Sequence, residues 1–329
     1  EVPVDPSSLL TFRILAHLPL LVHPGPEEVM VLSLGGGVTT GSVSTHPVRS
    51  VNAVELCPPV VRAAALFERW NHGVLDDPRL DITIQDGRNY LLLTGKRYDV
   101  ITADATHPWS ADSWILYTRE FYRLVRSRLA ADGVFCQWVP LHWLSEADFR
   151  CILRTMASVF PDLSLWYTGS YAVVLAREDG GPVDPLVLTG RMQLPEVSRD
   201  LAAVGVGSPE VLLSLFLLSH RGIQAYAGQG PLNTDDRPFL EHSAARCFGI
   251  ETTPLNLRSL AVVREHPEAL LGSGVDDTAV SRESLIRLYR ARGQMIQGRI
   301  ATYRGDFAES IDRYRRALVA DPRDGVSSL

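Results

Sequence analysis

The sequence predicts an α/β protein: a doubly wound, mostly parallel sheet followed by an α-helical C-terminal extension. Three observations lead there. Short apolar runs of β type alternate with helix-patterned segments through the first half of the chain, the rhythm of a parallel sheet covered on both faces. The first of these runs, Val29-Met-Val-Leu-Ser-Leu34, breaks abruptly into Gly35-Gly36-Gly37, as a strand does when its backbone must approach a ligand that a Cβ would exclude. Finally, glycine or acid closes four successive runs, at Gly35–Gly37, Glu55, Asp86 and Asp104. Ligands of open α/β sheets bind beyond the carboxyl ends of the strands. For the glycines alone, a tight turn in an ordinary core is the alternative; Glu55 tips the balance toward a ligand site.

Taken in order, Leu9 to Leu21 is apolar at helical spacing and stops at the turn His23-Pro-Gly-Pro26. Strand Val29–Leu34 and a short helix from Thr39 to His46-Pro47 follow, then strand Ser50–Leu56. Pro58-Pro59 opens a helix over Val60 to Asn71, since proline is tolerated in a first turn. Leu80–Gln85 is a strand with Asp86-Gly87-Arg88-Asn89 as its exit loop, and Tyr98–Ala103 a strand leaving at Asp104. A helix over Tyr117–Leu129, strand Gly133–Val139 and a helix from Ser145 to Phe160 come next, the last started by its Ser-Glu-Ala-Asp turn. Leu163–Tyr167 and Tyr171–Ala176 read as a hairpin.

Beyond Arg177 the texture changes. Pro195–Val206 and Pro209–His220 read as helices, and a polar cluster runs from Gly230 to Pro238 around Asp235 and Asp236, a turn of the kind that caps a helix. From Ser281 the chain is helical again, with Gly298, Gly305-Asp306-Phe307, Ser310, Tyr314, Ala317 and Pro322 at the offsets of a tetratricopeptide repeat. A single unit is visible where an array needs at least three, so the repeat is expected to be truncated. The expected division is residues 1–178 as a nucleoside-binding domain, 179–275 as a helical and loop extension packed on it, and 276–329 as the repeat-like segment.

Composition narrows the function. The 329 residues are 46% apolar and 21% charged with a net charge of −6, which gives no electrostatic reason to bind nucleic acid. Cys57, Cys136, Cys151 and Cys247 are dispersed, three of them in apolar runs, which suits buried thiols in the cytoplasm better than a disulfide frame. The nine histidines show neither HExxH spacing nor cysteine partners, so no metal is expected. The longest apolar stretch, Val211–Ser219, is half of a bilayer span. A start at Glu1 with nothing resembling a signal peptide reads as a piece trimmed from a longer parent, whose other segments can tether it to a membrane.

The ligand can be narrowed further. Gly36-x4-Gly41 is followed by Ser42-Val43 and lacks the lysine of a phosphate loop, and Thr40 breaks the strict dinucleotide fingerprint. Carboxylates on three neighbouring strand ends suit a ribose, an adenine amino group and a positive charge better than a pyrophosphate. A sulfonium nucleoside such as S-adenosylmethionine meets that description.

Here a resemblance enters. Leu15-Ala-His-Leu-Pro19, Gly35-Gly-Gly37, Val54-Glu-Leu56, Asp77-Pro-Arg79, Asp86-Gly-Arg88, Tyr98-Asp-Val-Ile101, Leu116-Tyr-Thr-Arg-Glu-Phe-Tyr122 and Gly133 through Gln137 resemble the spermidine/spermine synthases, or polyamine aminopropyltransferases, in order and at similar spacing over residues 12–176. Asn233-Thr-Asp-Asp-Arg-Pro238 and the repeat look like a bacterial branch of that family fused to other segments, often membrane-spanning ones. The resemblance implies a Rossmann-like, class I methyltransferase-like sheet of seven strands. It also implies aminopropyl transfer from decarboxylated S-adenosylmethionine to a small-molecule amine acceptor, as in polyamine biosynthesis. By the same resemblance Gly35, Gly36 and Gly37 pass under the nucleoside, Glu55 holds the ribose, Asp86 and Gly87 the adenine amino side, and Asp104 the donor's ammonium group.

The acceptor side departs from the family pattern. His107 stands where the second acid of the loop is expected, Val38 replaces the acid after the glycines, and Thr11-Phe12-Arg13 replaces Tyr-His-Glu. The small β domain that precedes this run in the family is not among the 329 residues. His107, with a reference pKa of about 6.5, is the candidate catalytic base beside Asp104. Substrate-side candidates are Val38, Trp109, Tyr117 and Gln137, with Tyr122 adjacent and Trp114, Trp138 and Trp143 as further parts of an aromatic wall. A less cationic acceptor than a polyamine is expected. The alternatives are an S-adenosylmethionine-dependent methyltransferase and a non-catalytic nucleoside-binding scaffold. Expected partners are the amine acceptor, a protein partner through the repeat and a second copy of the chain.

Overall fold

The computed structural model describes residues 4–104, 107–110, 113–169, 171–271 and 279–320. After helix α1 (Pro6–Val22) come β1 (Glu28–Leu32), α2 (Val38–Ser44), β2 (Ser50–Glu55), α3 (Pro58–Ala64), α4 (Glu68–Asn71), β3 (Leu80–Ile84), α5 (Gly87–Leu93) and β4 (Tyr98–Ala103). They are followed by α6 (Arg119–Arg128), β5 (Leu129–Pro140), α7 (Glu146–Ala157), β6 (Asp162–Tyr167) and β7 (Tyr171–Arg177). With a later strand β8 (Phe216–Leu218), the sheet order is β3-β2-β1-β4-β5-β7-β6-β8. Strands β3 to β5 are parallel, and β7 runs antiparallel to both β5 and β6.

Alternation along each strand divides the core in two, because successive side chains leave opposite faces of a sheet. Val29 and Val31 of β1, Val134 and Cys136 of β5, and Val173 and Leu175 of β7 pack under α1. Met30, Leu32, Phe135, Val139, Ala172 and Val174 pack on the other side against α6 and α7. Both faces are therefore buried, which is why these strands read as continuous apolar runs.

The extension is woven into this sheet. It contains α8 (Pro185–Met192), α9 (Pro195–Ala202), α10 (Pro209–Ser214), β8 (Phe216–Leu218), α11 (His220–Ala227), α12 (Phe239–Ser243), α13 (Thr253–Val263) and α14 (Glu268–Leu271). The expected helix Pro209–His220 is instead a short helix, a strand and the start of another helix. The run is apolar on every side and too short for periodicity to distinguish helix from strand. Its middle, Phe216–Leu218, becomes an eighth strand on β6, one more than the seven expected. The helix expected over Val60–Asn71 is also interrupted, by a 3-10 turn at Ala65–Phe67. Helices α15 (Arg282–Tyr303) and α16 (Phe307–Ala320) close the described chain as an antiparallel hairpin; Pro322 of the repeat pattern lies outside the described residues. Among the described residues no helix is long and apolar enough to cross a membrane.

A buried ionic network ties α9 to α1 and α2. Asp200 of α9 accepts from His17 Nε2 and Ser42 Oγ, both at 2.7 Å, on Oδ2, and from His72 Nε2 at 2.7 Å on Oδ1. Arg13 of α1 pairs with the same carboxylate at 3.1 Å, and His17 Nδ1 shares a 2.8 Å hydrogen bond with His46 Nε2. These partners hold the Asp200 carboxyl far below its ordinary range against the opposing effect of burial. Burial lowers both His17 and His46.

Candidate active site

The order of the strands puts the switch point between β1 and β4, whose carboxyl ends lie side by side. After β1 the backbone enters left-handed conformations at Ser33 (φ 75°), Gly35 (φ 54°) and Gly37 (φ 77°), the last forming the N-cap of α2. Asn71 holds this loop from below, donating to Gly36 O at 3.0 Å and to Ala64 O at 2.8 Å. Gly41, one turn into α2, has to be glycine because a Cβ there would stand 2.1 Å from the Asn71 carbonyl oxygen. The glycine turn is thus a braced loop.

Glu55, at the end of β2, is 6% exposed. Its Oε2 accepts from Leu34 N at 3.0 Å and Gly35 N at 3.4 Å, and Oε1 from Cys57 N at 2.9 Å. Oε2 therefore organises the glycine loop and Oε1 the turn after β2, and Oε1 retains a further lone pair. Asp86 follows β3, where it is the N-cap of α5, accepting from Asn89 N at 2.8 Å on Oδ1. The segment expected as an exit loop is thus the first turn of a helix. Gly87 allows that helix to sit against β1, since a Cβ would meet Leu32 Cγ at 2.9 Å.

Asp104 leaves β4 with its N–H bonded to Leu32 O at 3.1 Å. It retains some solvent exposure, yet the packing around its carboxyl pushes it up to about 7 against the pull of the Thr39 hydroxyl. His107 moves in the opposite direction. Burial, reinforced by neighbouring His142, lowers it to about 4, so the expectation of an imidazole near 6.5 is corrected. An imidazole is neutral when desolvated because burial penalises its charged form. Of the two candidate bases, Asp104 has the proton affinity matched to neutral pH.

The other candidates separate. His107 lies against Trp109 at 4.5 Å between ring centroids with the rings tilted by 39°, and meets Trp138 edge-on at 4.9 Å. Trp114 packs at the edge of the core on the α6 side of the sheet. Tyr117 is fully buried, its hydroxyl pushed up by burial and by the nearby Asp104. Gln137 is fully buried too, accepting from Tyr122 Oη at 2.9 Å and donating to Leu116 O at 3.2 Å. Through both ends of its amide Gln137 anchors the segment before α6, with one N–H and one oxygen lone pair left over. Val38, at the first position of α2, is buried.

Three features were missed from the sequence. His142, just past β5, joins the ring cluster, 5.3 Å from Trp109 and 5.7 Å from Tyr171; its place at a strand exit was the available signal. The polar cluster around Asn233 is a fastener. Buried Asn233 donates to Trp114 O at 3.2 Å and accepts Leu240 N at 3.2 Å, while its backbone bonds Thr155 Oγ1 and Arg119 N. Asp235, expected to be a helix cap, instead forms a two-pronged ion pair with Arg88, two residues beyond Asp86. The Asp200 network is the third, its members being up to 187 residues apart. Among the described residues no group of three or more histidine, cysteine or acidic side chains is arranged to hold a metal.

Residues 10–172 match the spermine/spermidine synthase domain. The chain is 30% identical over 155 residues to the polyamine aminopropyltransferase of Bacillus subtilis (strain 168), an alignment covering 47% of this chain and 56% of that protein. It is 32% identical over 152 residues to the polyamine aminopropyltransferase of Thermotoga maritima, covering 45% of this chain and 51% of that one. The chain thus spans about half the length of the curated relatives it matches. A crystal structure of spermidine synthase in complex with the transition-state analogue AdoDATO superposes with a TM-score of 0.50 at 26% identity, over 59% of this chain and 76% of that one. The likeness to the spermine/spermidine synthase domain is thus carried by residues 10–172, in a chain that continues into a helical C-terminal region.

Proposed function

We propose that the chain is an aminopropyl transferase acting from decarboxylated S-adenosylmethionine on an amine. The observation that carries this reading is the convergence of a braced glycine loop, Glu55, Asp86 and Asp104 on the carboxyl ends of four adjacent strands, within a segment matching the synthase domain. The remaining lone pair on Oε1 of Glu55 suits a ribose hydroxyl. Oδ2 of Asp86, which has no partner among the described residues, suits an adenine amino group. When bound, the donor supplies a propyl carbon activated by sulfonium. The amine nitrogen forms a bond to that carbon as the carbon–sulfur bond breaks, the electron pair goes to sulfur, and the amine proton goes to the Asp104 carboxylate. His107, neutral and packed against Trp109, is a wall of the acceptor side and a hydrogen-bond partner, with too little proton affinity to be the principal base.

Helices α15 and α16 we read as a tetratricopeptide-type unit for a protein partner. This is supported by Gly298, where a Cβ would lie 3.2 Å from the Tyr314 ring.

Isothermal titration calorimetry with decarboxylated and intact S-adenosylmethionine tests the donor assignment. Decarboxylated donor is expected to bind at least tenfold more tightly. Preference for the intact compound would replace this reading with a methyltransferase, and binding of neither with a non-catalytic scaffold.

A further inference from the structure

The side of the site facing the amine is built from rings. His107, Trp109, Trp138, His142, Trp143 and Tyr171 form one connected cluster with centroid separations of 4.5 to 5.7 Å. Ala103 of β4 is in register with Gln137 of β5, so Asp104 and Trp138 follow as the next residues of neighbouring strands. The cluster therefore begins beside the carboxylate that is to take the proton. Trp143 adopts φ 55°, a left-handed conformation that is an outlier for a bulky side chain. Such strain persists where surroundings impose it, commonly at functional sites. All of these rings except Trp138 keep partial solvent exposure.

We propose that the amine acceptor carries a single basic nitrogen on an aromatic or apolar body, the nitrogen facing Asp104 and the body lying against the Trp109–His142–Trp143 face. The inference rests on the transferase reading above and supplies its substrate class. The distribution of negative charge decides it. Among the described residues, the carboxylates whose fields reach this cluster are Asp104 and Asp5, both felt at Tyr171, and Glu251, felt at His142. Asp5 is committed to capping α1 through Ser7 and Ser8. Glu251 accepts Thr253 N at 2.8 Å and lies exposed. His107 and His142 are both shifted toward their neutral forms by burial. A second ammonium group would have to shed its water against uncharged rings. Desolvating an ion costs more than a cation–π contact returns. An aromatic body loses little hydration and gains both buried area and ring contacts.

The test is a titration of the full chain with phenethylamine and with putrescine, with and without 5′-methylthioadenosine, read by tryptophan fluorescence and calorimetry. Phenethylamine is expected to perturb the emission and to bind at least tenfold more tightly than putrescine. Trp109→Ala is expected to reduce that preference below threefold, and Trp143→Phe, which keeps a ring, to retain it. Equal or tighter binding of putrescine, or binding of neither amine, overturns the proposal. If decarboxylated S-adenosylmethionine binds but putrescine is preferred, this inference falls and the transferase reading stands. If phenethylamine is preferred and no donor binds, the ring site stands and the transferase reading falls.

Discussion

Asp104→Asn is expected to lower turnover with decarboxylated S-adenosylmethionine by about 10²–10⁴-fold, the range for removal of a general base, with little change in the protein's shape. Asparagine keeps the size and the polar tip and loses only the proton affinity. In the unaltered protein the rate is expected to rise with pH through a limb near 7, where the carboxyl ionises. That limb should vanish in the variant and survive in His107→Ala, since the imidazole is already neutral above about 4. Stability moves in the opposite direction. The Asp104 carboxyl is raised above its unfolded value of 3.8, so the folded state disfavours the carboxylate. The resulting cost begins as pH rises past about 4 and is complete above 7. Asp104→Asn removes that cost, giving a Tm gain of roughly 3 °C at pH 8 that shrinks toward zero near pH 4. Thermal denaturation across that range, with kcat measured on the same preparations, checks both halves. An unchanged rate limb would remove Asp104 from the proposed chemistry.

Asp200→Ala is expected to be the most destabilising single change in the first 220 residues, costing about 3–5 kcal/mol. It strands Arg13 and His17 in the core without their carboxylate. Asp200→Asn, which retains hydrogen bonds and loses charge, should fall between. The sign of the pH dependence follows from two directions of shift. His17 and His46 are lowered in the folded state, so below about 6.5 the unfolded chain binds protons the folded one refuses, and stability falls. Asp200 is also lowered, so its stabilisation is present above about 4 and is lost as pH drops further. A stability curve that is flat near pH 8, declines below 6.5 and steepens below 4 is the expected outcome. An Asp200→Ala variant within 1 kcal/mol of the parent would show that the network contributes little.

Much of this architecture was legible because it is written locally. Strand β4 appears at its predicted residues, Tyr98–Ala103, since an apolar run flanked by polar residues has few alternatives. The glycine loop and three strand-end acids were readable for the same reason: each is a type of residue at a type of position. What escaped depends on partners distant in sequence. Phe216–Leu218 becomes a strand only because β6 offers an open edge. Asp86 caps a helix of seven residues, too short to display a period. The inversion between Asp104 and His107 is a property of burial, and no spacing of residues reports a desolvation energy.

The eighth strand carries a consequence for biosynthesis. The edge of β6 is not covered, and Arg13 is not neutralised, until residues 200–218 have been made. A ribosome-bound chain that has just released β7 therefore holds a nearly complete sheet with an open, apolar border, the configuration that recruits other strands. Expression of residues 1–178 alone is expected to give aggregated product, whereas a chain carried past α11 should be recovered in solution. Fractionation of the two after lysis would distinguish them. Equal recovery would mean that the first 178 residues mature without waiting for the segment that follows them.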